Sequence, residues 1–80
     1  MATLRFFATA ADAARTRAFT STSPTVTLAL RDARDAFGPA FSQVLDRSRI
    51  WLNGDAIDPA GDQECGPDDE IAVIPPVSGG

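Results

Sequence analysis

The sequence predicts an α+β domain in which one mixed sheet is covered on one face by a helix. Three observations lead there. Short alternating apolar stretches stand near both ends of the chain, a single long amphipathic stretch of helical period lies between them, and too few elements remain for a second helical layer. The 80 residues make one small domain. Folding at this size removes roughly 60–65 % of the surface that the open chain exposes. A large apolar residue that the core does not need is therefore informative.

The elements follow in order. TLRFFA, from Thr3 to Ala8, reads as a strand with Leu4, Phe6 and Ala8 on one face and Thr3, Arg5 and Phe7 on the other. TAADAARTR is alanine-rich and predicts a short helical turn, and AFTSTS suits a second strand. No Gly or Pro lies between Phe7 and Ser23 to mark that hairpin. The main helix is SPTVTLALRDARDAFGP, with Thr25 as its cap and Gly38-Pro39 as its stop. Val26, Leu30, Ala33 and Phe37 form its apolar face, widened by Ala29 and Ala36, and Arg31 and Asp35 are placed to pair across one turn. FSQVLDRS predicts a second, short helical segment. RIWLNGD is a strand entering a tight turn at Asn53-Gly54, AIDP the short returning strand, AGDQECGPDD a loop and EIAVI the last strand. Strand, strand, helix and three more strands is the layout of a ubiquitin-like β-grasp, here expected over residues 1–74, followed by an extended tail over residues 75–80.

Alternation assigns the sides of the sheet. Leu4, Phe6, Ile50, Leu52, Ile71 and Val73 turn toward the helix. Phe7, Trp51, Ala72 and Ile74 are left on the open face, because a slip by one residue would bury Arg5 instead. Aromatic side chains of this size carry roughly 150–250 Å² of burial each. Clustered, they make a partner-binding patch. This patch leads into IPPVSGG. Pro75 and Pro76 lack N–H donors and end the strand pairing, and they hold the chain extended. Side chains then shrink through Val77 and Ser78 to Gly79 and Gly80, as suits a tail entering a narrow tunnel, over a reach of about 20 Å at most. From the residues alone, the ending is either a frayed tail or a working carboxylate.

Composition excludes much else. Seven basic residues against eleven acidic give a net charge of −4, which argues against nucleic acid as a partner. All seven are arginine, so no Schiff-base lysine exists, and the absence of histidine removes the usual general base and the commonest metal ligand. Cys65 is single, has no activating base and sits among Glu64, Asp68 and Asp69, so it reads as an ordinary loop residue. Asp55 and Asp58 are too isolated for a metal site. No Gly-rich phosphate loop precedes a helix, and neither a membrane span nor a signal peptide is visible, which makes the cytoplasm the expected location.

RFFA near the start, LNGD in the middle and DDEIAVIPPVSGG at the end, with the helix between them, together resemble the small subunit of molybdopterin synthase, one of the ubiquitin-like sulfur carriers. The resemblance spans nearly the whole chain, and its most specific part is the last dozen residues. It departs from the family at Asp68-Asp69-Glu70, where relatives have Gly-Asp-Glu, and in the first hairpin, which lacks a glycine. For Asp68 the expectation is a left-handed turn that aspartate tolerates.

The resemblance implies a non-catalytic carrier. Gly80 would be adenylated by an activating enzyme that uses ATP, then converted to a thiocarboxylate by a sulfur donor protein. Pro75, Pro76, Val77, Ser78 and Gly79 would enter the sites of that enzyme and of the synthase large subunit. There the sulfur would build the dithiolene of molybdopterin. The chain itself would bind no cofactor and no metal. Sulfur carriers for thiamine or cysteine synthesis share the fold and the Gly-Gly end. A protein modifier joined through Gly80, or a non-covalent adaptor with an idle tail, are the rival readings.

Overall fold

A computed structural model describes residues 2–76. Five strands form one sheet in the order β2-β1-β5-β3-β4, with β1 Ala2–Phe6, β2 Ala18–Ser21, β3 Arg49–Leu52, β4 Asp55–Ile57 and β5 Glu70–Ile74. β1 and β5 run parallel at the centre, and the other pairs are antiparallel. Among the described residues three α-helices, α1 Thr9–Ala14, α2 Val26–Phe37 and α3 Pro39–Arg47, and one 3-10 turn, Pro59–Gly61, connect them. This is the β-grasp layout that the sequence predicts.

Alternation on β5 decides the layers. Ile71 and Val73 are fully buried, as are Leu4 on β1 and Val26 on α2. Thr25 caps α2 by accepting the Leu28 N–H at 3.2 Å, satisfying one of the donors a helix start leaves unpaired. Gly38, at φ +84°, ends α2 and begins α3. A left-handed turn there is what glycine permits, and it folds α3 back so that Phe41 and Leu45 join the core. Phe6, Phe37 and Phe41 then meet in edge-on and tilted ring contacts of 5.0–5.6 Å. Each such pair is worth about 0.5–1.5 kcal/mol beyond its burial.

Several expectations are corrected. Ala36 is exposed, so it does not widen the buried face of α2. Arg31 and Asp35 form no ion pair among the described residues. The charges of this helix are used elsewhere: Arg34 reaches Asp46 of α3 at 2.7 Å, and Asp32 accepts the hydroxyls of Ser21 and Ser23, both at 2.6 Å. Asp68 is not left-handed. Its turn closes through the Gly66 N–H, which donates to the Asp69 carboxylate at 2.7 Å, while the Asp69 N–H donates to the Gly66 carbonyl at 3.1 Å. The first hairpin lacks a glycine and is bridged by α1 instead, entered at Ala8 (φ +50°) and left at Arg15 (φ +61°).

Candidate carrier site: the open sheet face and the base of the tail

The strand registers set the open face row by row. Ala72 of β5 stands between Arg5 of β1 and Trp51 of β3, and Trp51 is in turn opposite Ala56 of β4. One step toward the end of β5, Ile74 pairs with Arg49. Phe7 follows directly after β1, held by its N–H donating to the Val73 carbonyl at 3.2 Å. Phe7 is 45 % exposed and Ile74 is 38 % exposed, while Trp51 and Ala72 are half-buried. Phe7 and Ile74 are the two large apolar side chains most open to water among the described residues. They stand at the end of the sheet where the chain leaves for its tail.

Two features of this end were not legible in the residue pattern. Ala8 carries φ +50° and ψ −128°, a conformation that costs a residue with a Cβ about 1–3 kcal/mol. That bend breaks β1 after Phe6 and lets the Phe7 carbonyl accept the Ala10 N–H at 3.0 Å, starting α1. The second is a groove of about 440 Å³ behind the open face, where Ala40, Val44 and Arg47 of α3 face Pro75 and Pro76. Pro75 is buried and Pro76 exposed, so the stretch read as an extended tail starts against the body of the domain. The groove is bounded by α3, by Thr9 at the start of α1 and by the prolines that follow β5, segments far apart in sequence, so no local pattern announces it. Val77, Ser78, Gly79 and Gly80 lie outside the described residues.

The far end of the sheet is polar and tightly hydrogen-bonded. Asn53, in the turn between β3 and β4, accepts the Glu70 N–H at 2.8 Å and donates to Asp69 at 2.9 Å. The Asn53 amide, and after it the Gly66 N–H, hold the Asp69 carboxyl below the usual carboxylate range. Cys65 is buried, and its thiol is pushed up by that burial and by the Asp69 charge, so it remains protonated at neutral pH. No group of three metal-ligating side chains occurs among the described residues, and none of their helices is long and apolar enough to cross a membrane.

A mixed five-stranded sheet carrying its helices on one face is the ubiquitin-like β-grasp form. The model of the ThiS family matches residues 4–80, and the chain belongs to that family. Among solved structures, small archaeal modifier protein 1 from Haloferax volcanii is similar at 30 % identity, with a TM-score of 0.81 and coverage of 99 % of this chain and 98 % of that one. The solution structure of small archaeal modifier protein 1 from Methanosarcina acetivorans is 27 % identical, with a TM-score of 0.79 and coverage of 99 % and 95 %. A protein–protein complex of subunits 1 and 2 of molybdopterin-converting factor from Helicobacter pylori matches with 24 % identity, a TM-score of 0.70 and coverage of 99 % and 97 %, a likeness of fold. No curated protein matches the chain.

Proposed function

We propose that the chain is a sulfur carrier whose Gly80 carboxylate is adenylated and converted to a thiocarboxylate, and that it delivers this sulfur to molybdopterin synthesis as the small subunit of the synthase. The observation that carries the reading is the family match, which continues through the whole IPPVSGG ending to Gly80. A carboxylate is a poor electrophile because its charge is shared by two oxygens. Joining it to AMP, with release of pyrophosphate, gives an anhydride with a good leaving group. A protein persulfide then displaces AMP, and a thiol cleaves the resulting acyl disulfide, leaving sulfur on Gly80 and a disulfide on the donor.

Catalytic groups come from the partners in this scheme. That accords with a sequence that contains neither histidine nor lysine. Pro76 to Gly80 enter the partner's site, and Phe7, Ile74, Ala72 and Trp51 dock against its surface. A second reading is favoured by a specific observation: the 30 % identity is to a modifier protein, whereas molybdopterin-converting factor stands at 24 %. In that reading the same activated Gly80 is passed to a lysine amine.

Intact mass of the chain purified from its own cells separates the two. Replacement of one oxygen by sulfur supports the carrier, and a population joined to other polypeptides supports the modifier. A plain carboxylate that stays unchanged with activating enzyme, ATP and a sulfur source removes both.

A further inference from the structure

The charges of this chain are segregated along the sheet. Residues 55–70 hold seven of the eleven carboxylates, Asp55, Asp58, Asp62, Glu64 and the run Asp68 to Glu70, and they contain no arginine. Strand direction places the start of β5, the end of β3 and the start of β4 together, so Asp55 and Asp68 to Glu70 share the end away from the tail. The opposite end collects arginines. Arg49 pairs with Ile74 across the β3–β5 ladder, and Arg47 shares the groove with Pro75 and Pro76. The Arg17 carbonyl accepts the Phe6 N–H at 2.9 Å, and Arg17 borders a hollow with Phe7, Arg5 and a single carboxylate, that of Asp12. All three side chains are exposed, and none belongs to an ion pair among the described residues. Arg5, by contrast, is held by Glu70 at 2.8 Å.

We infer that Arg17, Arg47 and Arg49 form a collar around the root of the tail that docks on an acidic rim of the adenylating enzyme, around the site where the tail enters. The inference rests on the carrier reading and names the chemistry of its partner surface. Unpaired guanidiniums interleaved with Phe7 and Ile74 have the composition of a protein interface, in which arginine and aromatic residues are enriched. A nucleic acid would meet a chain of net charge −4 with apolar side chains in the contact. An acidic rim is attracted to this end and repelled by the other, so the charge pattern orients the tail toward its tunnel before contact is made.

The test is ATP–pyrophosphate exchange by the adenylating enzyme of the same organism, with this chain as the varied substrate. Reversing Arg17, Arg47 and Arg49 together to Glu is expected to raise KM by about a hundredfold, with kcat little changed, and to abolish the rise of KM with salt. Single Arg47→Gln and Arg49→Gln variants should show the same loss in smaller steps, and they serve if the triple variant does not fold. Arg31→Glu, on α2, changes charge away from the collar and should leave KM unaltered. Exchange that proceeds with wild type while the collar variants keep the wild-type KM overturns the collar and spares the carrier. No exchange with wild type overturns both. Retention of a short RNA, or a salt-sensitive dimer, that disappears in the collar variants would reassign the positive end and overturn the inference.

Discussion

The two faces of β5 are built from one five-residue strand and meet opposite fates. Ile71 and Val73 are sealed beneath α2 and α3, whereas Ala72 and Ile74 look out between Arg5, Trp51 and Arg49. The first face is closed off from water, and the second is left partly open to it. The difference teaches that apolar character alone does not assign a role, and that the layer on which a residue falls does. Substitutions on the buried face should therefore act on stability, and those on the open face on association.

The largest effect is expected at the centre of the packed side. Phe41→Ala empties the space between Phe6 and Phe37 and should cost about 3–5 kcal/mol, read as a fall in the urea midpoint. A loss below about 1 kcal/mol would mean that α3 is not part of the cooperative core. On the open side, Phe7→Ala should cost less than about 1 kcal/mol of stability, because the ring is nearly half exposed. It should weaken activation by the adenylating enzyme by about 2 kcal/mol, roughly thirtyfold in kcat/KM. Equal stability losses at Phe7 and Phe41 would erase the distinction between the faces.

A smaller effect of opposite sign belongs to the seam between the faces. Ala8 holds a backbone shape that suits glycine, so Ala8→Gly should stabilise the domain by about 1 kcal/mol, seen as a higher thermal midpoint. If it destabilises, the bend is not strained. The same residue marks where the sequence stopped being informative. Alternation in EIAVI and RIWL and the Asn53-Gly54 turn specified the strands, because a slip by one residue exchanges the two faces completely. Nothing comparable marked the first hairpin, whose positive-φ positions are filled by Ala8 and Arg15 rather than glycine. Phe7, Trp51, Ala72 and Ile74 could be assigned to the open face from parity. The groove beside Pro75 could not, because it depends on how distant segments pack. Arg47 and Arg49 became meaningful only when the registers placed them beside the root of the tail.

The smallest effect joins the packed face to pH. Asp32 lies on α2 yet serves the edge of the sheet, accepting hydrogen bonds from Ser21 on β2 and Ser23 beyond it. Those two bonds hold its carboxyl below the ordinary value of 3.8, aided by the nearby Arg31 charge and opposed by slight desolvation. The unfolded chain therefore takes up the proton first. The stabilisation is complete above pH 3.8, and it is lost as pH falls through the lower folded value. Asp69 at the far end is depressed in the same direction and adds to the same acid limb. Asp32→Asn keeps the shape and removes the charge, so its stability deficit should be present at pH 7 and shrink as pH falls below the carboxylate range. Urea midpoints measured down that range decide it. A deficit that stays constant would mean that Ser21 and Ser23 bind the neutral side chain as well as the ion, and that the link between α2 and β2 is one of shape rather than charge.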